Sequence, residues 1–251
     1  MRYILLLTVL LTSTAAFAAP DFDETMTAAK QGHAYDQFNL GLMYDKGIGV
    51  PENDTEAVKW YRKAADQGVA DAQYNLGVMY DNGEGVPEND AEAVKWYRKA
   101  ADQGYAKAQY NLGVMYDNGK GVPKNDAEAV KWYRKAADQW YARAQVNLGF
   151  MYYHGEGVPK NYAEAVKWYE SAAVQGHAVA QVNLGLMYNN GEGVPENNIR
   201  AYVWWSMAKT QGNADASTNL EILKPTMTKQ QIAEAQALAA QCYEANYYDC
   251  D

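Results

Sequence analysis

Ser206 and Lys209 are separated by Met207 and Ala208, which makes a Ser-x-x-Lys pattern that can support covalent catalysis. In this pattern the lysine lowers the barrier to deprotonation of the serine, whose oxygen then attacks a carbonyl carbon. Sites of this kind also use Ser-Asp-Asn and Lys-Thr-Gly segments, and the sequence contains neither. The pattern alone is a weak basis for catalysis, and we predict that the chain is not an enzyme.

Histidines and other metal-ligating residues do not form a recognisable site. The three histidines are His33, His154 and His177, and no two of them have the spacing of zinc ligands. We therefore expect neither a metal ion nor another cofactor.

The residues most often repeated lie 36 positions apart, beginning at Gly32. Five uninterrupted units follow, at 32–67, 68–103, 104–139, 140–175 and 176–211. A fixed period in this range is typical of a stacked helical array, because one unit alone cannot bury its apolar faces. The period therefore predicts an all-α solenoid.

Each unit has the pattern of two helices, which we call helix A and helix B. Apolar residues recur every three or four positions over 70–82, which predicts helix A. A segment with two glycines and a proline ends it. Asn89 and Glu92 have the spacing of a capping box at the start of helix B, as do the equivalent residues at Asn53, Asn125 and Asn161. Gly104 ends helix B in a position that favours a left-handed residue.

Trp140 replaces that glycine in one unit, where a bulky residue should cost about 1 kcal/mol. We expect either that the cap is remodelled there or that Trp140 gains contacts that offset the cost.

The eighth position of every unit is an asparagine, on the same predicted helix face as the variable fourth position. The asparagines are Asn39, Asn75, Asn111, Asn147 and Asn183, and the fourth-position residues are Tyr35, Asp71, Lys107, Arg143 and Val179. An amide can donate to and accept from a peptide backbone while its variable neighbours select side chains. The alternative is that each asparagine bonds to a neighbouring unit and stiffens the array, since a buried amide must be paired. Both interpretations are open from the sequence.

Helix B carries Trp-Tyr in four units and Trp204-Trp205 in the fifth. Such aromatic residues could bind a sugar or a cofactor. Their recurrence at helical spacing favours instead a core position between helices.

The first 18 residues are typical of a signal peptide, with Arg2, an apolar run and a cleavage site ending at Ala18. We expect a mature protein in the periplasm or outside the cell, without a membrane-spanning segment. Lys and Arg number 22 against 31 Asp and Glu, a formal charge of −9, which disfavours nucleic acid as a partner.

The two ends of the array depart from the period. Residues 19–31 have the pattern of a half repeat like helix B, and 212–251 that of a degenerate helix A followed by a capping helix. Thr228 and Gln231 have capping-box spacing at the start of that last helix. For an exported chain, Cys242 and Cys250 favour a disulfide over a redox or metal pair. A bridge requires the helix to end near Asn246, because eight helical residues span about 12 Å and a disulfide only about 7 Å.

The segments Ala-x-Ala-Gln-x-Asn-Leu-Gly-x-Met-Tyr, Gly-x-Gly-Val-Pro, Ala-Val-Lys-Trp-Tyr and Ala-Ala-Asp-Gln-Gly closely resemble the Sel-one-like repeat (SLR) family, relatives of the tetratricopeptide repeats. The resemblance covers about residues 20 to 245. It implies a right-handed αα superhelical solenoid in which the A helices line a concave groove. It also implies an adaptor that binds a protein or peptide segment, which we expect to be a monomer. The alternative is a secreted hydrolase acting on β-lactams, as proposed for some cysteine-rich relatives.

Overall fold

The structure, a computed structural model, describes residues 21–245 and residue 247. This part of the chain contains thirteen α-helices, one short 3-10 segment at Lys224–Thr226 and no strand. The helices are α1 Phe22–Lys30, α2 Ala34–Lys46, α3 Asp54–Asp66, α4 Ala70–Asn82, α5 Asp90–Asp102, α6 Ala106–Asn118, α7 Asp126–Ala137, α8 Ala142–His154, α9 Tyr162–Ala173, α10 Ala178–Asn190, α11 Asn198–Thr210, α12 Ala214–Leu223 and α13 Lys229–Glu244. The even-numbered helices α2 to α12 are A helices, and the odd-numbered helices α3 to α11 are B helices.

The helices stack in one dimension. In each of the five units the A helix packs most extensively on the B helix of the same unit, and each B helix also packs on the next A helix. The last helix, α13, packs on α11. The fold is therefore an αα solenoid, as the period predicted.

Close packing within a unit depends on a glycine in the middle of helix A. At Gly77 an added Cβ would lie 2.6 Å from the Tyr97 ring on helix B, and at Gly113 it would lie equally close to Tyr133. These tyrosines are fully buried. Glycine therefore sets the distance between the two helices, because any side chain at this position would collide with the ring.

The repeated tryptophans lie in the core, as predicted from their spacing. Trp60, Trp96 and Trp132 are at most 7% exposed, and Trp204 is 1% exposed. Trp168 is half-buried and packs against the cluster that α7 of the preceding unit forms with α8. Their role in helix packing explains why they recur in every unit.

Only half of the predicted capping box forms at the start of helix B. The Asn53 side chain accepts a hydrogen bond from the Glu56 backbone at 3.1 Å, as predicted. The reciprocal bond from Asn53 N–H goes instead to the Tyr44 carbonyl of helix A, at 2.8 Å. Glu56 pairs with Lys59 at 2.6 Å. The prediction of a full box was wrong here because the asparagine backbone connects the two helices.

The true capping box is at the start of α13. The Thr228 hydroxyl accepts from the Gln231 backbone at 3.2 Å, and the Gln231 side chain accepts from the Thr228 backbone at 2.9 Å. This prediction is confirmed. Both bonds form here because no neighbouring carbonyl takes the Thr228 N–H.

Trp140 keeps the left-handed conformation of the glycines it replaces, with φ of 62°. The cap is thus not remodelled, and the side chain is 61% exposed. An added Cβ at the equivalent Gly68 or Gly104 would meet no atom within 4 Å. The backbone strain at Trp140 is therefore not offset by burial.

The two ends of the chain are only partly covered by the described residues. The predicted signal peptide, 1–18, lies outside them. Cys242 is buried near the end of α13, but Cys250 lies outside the described residues, so the disulfide stays a prediction. Within the described part, no helix is long and apolar enough to cross a membrane.

Candidate binding face on the A helices

The A helices place the predicted site residues on one surface, which we call the A-helix face. It comprises the fourth-, eighth- and eleventh-position residues of the five units. All five asparagines of the eighth position are half-buried. At the fourth position Tyr35, Lys107, Arg143 and Val179 are exposed, whereas Asp71 is half-buried. The face therefore has a recessed row of amides beside a more exposed row of variable side chains.

In each of the first three units, an aspartate of helix A, a tyrosine of helix B and the asparagine of the following A helix form a polar network. Tyr97 on α5 donates a hydrogen bond from its hydroxyl to Asp81 of α4 at 3.2 Å, and the amide of Asn111 on α6 interacts with the same hydroxyl. Burial and then the Asp81 carboxylate raise the pKa of Tyr97, so the hydroxyl stays protonated. The same network connects Asp45 with Tyr61 and Asn75, and Asp117 with Tyr133 and Asn147.

This network partly supports the structural interpretation of the asparagines. Each of Asn75, Asn111 and Asn147 faces a tyrosine of the preceding unit. Asn111 also interacts with Tyr74, and Asn147 with Tyr110. These contacts still leave part of the hydrogen-bonding capacity of an amide, which has two donor hydrogens and an acceptor oxygen with two lone pairs. Binding of a ligand by these amides therefore stays a prediction.

The network ends at the fourth unit because Tyr153 and Asn189 replace the aspartates. Tyr153 donates from its hydroxyl to Glu192 at 3.0 Å, in the loop of the following unit. Tyr169, the equivalent of Tyr97, retains its contact with Asn183. Beside the A-helix face, the tyrosine of helix B thus has an aspartate partner in the first three units and, among the described residues, lacks one in the fourth.

A largely apolar depression of about 230 Å³ occupies the place of the missing network. It lies between α8 and α10 and is lined among others by Phe150, His154, Tyr169, Leu186 and Met187. Phe150 is 44% and Leu186 37% exposed, and the ring centroids of Phe150 and His154 are 4.1 Å apart. Large apolar side chains that remain this exposed can bury further surface when a ligand binds.

A second depression, of about 300 Å³, lies at the amino-terminal ends of the same two helices. Its lining is Tyr110, Arg143, Val146, Asn147, His177 and Val179. The His177 Nδ1 atom is buried and has no hydrogen-bond partner among the described residues. Burial, followed by the nearby Arg143 guanidinium, lowers the pKa of His177, so its ring is neutral at pH 7. Arg143 therefore supplies the positive charge of this depression.

The residues that sequence reasoning missed form a glutamine ladder. Gln73 Nε2 on α4 donates to the Ala65 carbonyl at 3.0 Å, and its oxygen accepts from Gln103 Nε2 at 2.7 Å. The pair recurs in all five units, at Gln37–Gln67, Gln73–Gln103, Gln109–Gln139, Gln145–Gln175 and Gln181–Gln211. The sequence pattern that indicates this ladder is a glutamine at the sixth and at the last position of every unit. The ladder is structural, since the sixth-position glutamines are buried.

The Ser-x-x-Lys pattern lies on α11, where Ser206 is half-buried and Lys209 exposed. Across 21–245, no hydrogen bond joins these two side chains. In the same range, no group of three or more His, Cys, Asp and Glu residues has the geometry to hold a metal ion.

The sequence model of the Sel1 repeat matches five segments, 34–69, 70–105, 106–139, 142–177 and 178–213. Each match begins at the first residue of an A helix, two residues later than our units, and contains the same two helices. Trp140 and Tyr141 fall between the third and fourth matches. Among curated proteins, none matches the chain.

Solved structures with this fold include two similar relatives. One is c5321, a protective antigen of uropathogenic Escherichia coli strains with an SLR fold, at 37% identity and a TM-score of 0.80. The match covers 90% of this chain but 51% of c5321, so the chain spans about half of that protein. The other is a Sel1 repeat protein from Oxalobacter formigenes, at 41% identity and a TM-score of 0.74, with 79% of each chain covered.

Proposed function

Because the chain belongs to the Sel1 repeat family, we propose that it is an interaction scaffold that binds a peptide or protein segment along the A-helix face. Solenoids offer extended surfaces for such binding. The observation that carries this proposal is the pair of depressions between α8 and α10. Both contain members of the asparagine row, Asn147 and Asn183, beside side chains that differ from unit to unit.

Site-specific photo-crosslinking tests which face binds. A benzoylphenylalanine at Val179 places the reactive group on the A-helix face, and one at Lys167 places it on the exposed side of helix B in α9. We expect Val179, and not Lys167, to form adducts in the envelope fraction of the producing cell. Equal labelling from both positions would contradict a binding site on the A helices.

The asparagine row is tested by changing Asn75, Asn111 and Asn147 together to alanine. We expect the triple variant to remain helical and to lose most of its crosslinking from Val179. Each change should also lower the free energy of unfolding by about 1 kcal/mol, because a tyrosine hydroxyl loses a partner. If the variant unfolds at room temperature, the asparagines are structural and binding through the asparagine row loses its main support.

A second proposal is that the scaffold has no catalytic site. The competing function is hydrolysis of β-lactams through Ser206 and Lys209. Half-burial of Ser206 in a continuous helix supports the scaffold. Turnover of a chromogenic β-lactam that Ser206→Ala abolishes would establish the hydrolase instead.

The proposed location is the periplasm or the extracellular space, with the protein acting there as a monomer without nucleic acid. Support comes from the signal-like residues 1–18 and the formal charge of −9. Amino-terminal sequencing of protein from the envelope fraction should begin at Ala19, and sedimentation should give the monomer mass. A chain in the cytoplasm that retains Met1 would exclude export.

A further inference from the structure

The groove between α8 and α10 has two chemically different ends. Arg143 lies in the first turn of α8, and Phe150 lies seven residues later on the same helix. At 1.5 Å per residue this separation is about 10 Å along the groove. Arg143 lines the depression of about 300 Å³, and Phe150 lines the one of about 230 Å³.

The first end is suited to a carboxylate. No acidic side chain lines either depression. Arg143 is exposed and forms no salt bridge within the part of the chain that the structure describes. An unpaired guanidinium on an exposed helix face can form two parallel hydrogen bonds with a carboxylate. At the equivalent position of the second unit, by contrast, Asp71 would repel a carboxylate.

The second end is suited to a large apolar side chain. Phe150 and Leu186 form exposed walls, while Met187 and Tyr169 are buried and form the floor. Asn183 lines the same depression and is half-buried. Its amide can bond to a peptide backbone that places a side chain in the depression.

We infer that this groove selects an extended peptide segment in which a carboxylate lies about three residues from a large apolar side chain. The spacing follows for a ligand in the polyproline II conformation, which advances about 3.1 Å per residue and places every third side chain on the same face, so three residues cover the distance of about 10 Å. The carboxylate binds Arg143, and the apolar side chain enters between Phe150 and Leu186. This inference rests on the proposed function and names the chemistry of its ligand.

Selection from a display library of random octapeptides on the immobilised full chain tests the spacing. We expect enrichment of Asp or Glu three residues from Leu, Phe or Met. An enriched peptide is then synthesised with a fluorescein label, and its affinity is measured by fluorescence polarisation.

The repeats supply matched variants for that measurement. Arg143→Val introduces the residue found at the same position in the next unit, Val179, and Phe150→Val introduces the residue found at Val78 and Val114. We expect each to weaken binding of the enriched peptide at least tenfold. Lys107→Val makes the same kind of change elsewhere on the A-helix face, one unit earlier, and should weaken binding less than Arg143→Val does. The control, Lys167→Val, removes a positive charge from the exposed side of helix B in α9 and should alter affinity less than twofold. Circular dichroism should show unchanged helix content in all four variants.

The outcomes separate the two proposals. If enriched peptides lack the spacing, or if Lys107→Val weakens them more than Arg143→Val and Phe150→Val do, the groove assignment is wrong while binding on the A-helix face stands. If no peptide is enriched, or if changes on the A-helix face leave affinity unchanged, both the groove assignment and the proposed function are wrong.

Discussion

The first three units and the last two have the same backbone but different surfaces on their A helices. Units 68–103 and 104–139 differ at only four positions, and both have the Asp–Tyr–Asn network. In the fourth unit Tyr153 replaces the aspartate, and Phe150 and His154 replace a valine and an asparagine. The side chains that hold the stack together are thus separable from those that can distinguish one ligand from another. The side chains that can distinguish ligands are concentrated from the fourth unit onward, where the Asp–Tyr–Asn network is absent.

The largest loss of stability should come from a feature that the two regions share, the close packing at the glycine in the middle of helix A. Gly77→Ala and Gly149→Ala each place a Cβ within 2.7 Å of a buried tyrosine ring. We expect both to lower the free energy of unfolding by about 3 kcal/mol, because the helix pair must separate. Urea denaturation followed by circular dichroism measures this. A large loss in one unit and none in the other would mean that the two regions do not have equivalent packing.

The polar network should produce the next largest effect, and it should differ between the regions. Tyr97→Phe removes a hydroxyl that interacts with both Asp81 and Asn111, whereas Tyr169→Phe removes one that contacts Asn183. We expect a loss of about 1.5 kcal/mol for the first variant and about 0.5 kcal/mol for the second. Equal losses, measured in the same denaturation experiment, would show that the aspartates add nothing to the network.

At the boundary between the regions, replacement of Trp140 should increase stability. Trp140→Gly relieves a left-handed conformation at φ of 62° and removes a side chain that is 61% exposed. We expect a gain of about 1 kcal/mol. A reciprocal Gly104→Trp change one unit earlier should lose a similar amount. Destabilisation by Trp140→Gly would indicate that the exposed indole makes contacts that stabilise the fold.

The smallest effect concerns pH, and it is confined to the second region. The lowered pKa of His177 means that the unfolded chain binds a proton more readily than the folded chain does. Stability should therefore fall as pH decreases through about 6.5, the ordinary histidine pKa, toward the lower folded value. His177→Asn, which copies Asn213 of the terminal remnant, should reduce this dependence when denaturation midpoints at pH 7.5 and 5 are compared. An unchanged pH dependence would exclude His177 as its source.

Helix positions and caps were predictable because they depend on neighbours within about four residues along the chain. The helix predicted over 70–82 is α4 itself, and the cap at Asn89 accepts from Glu92 as expected. The reciprocal half of that box could not be predicted, since its donor bonds to Tyr80 on helix A. A local pattern does not report which distant carbonyl competes for the same N–H group.

The sequence by itself determined the period, the two-helix unit and the family, because repeated spacing of glycine, proline and apolar residues is local information. Only the tertiary structure decided how the polar side chains pair. Asn111 meets Tyr97 across 14 positions, and Gln103 meets Gln73 across 30. Such pairings depend on the offset between stacked helices, which the spacing within one helix does not specify. For the same reason, the sequence did not predict the groove at Phe150 and Leu186. The groove depends on how α8 and α10 stack, at the point where the polar network is absent.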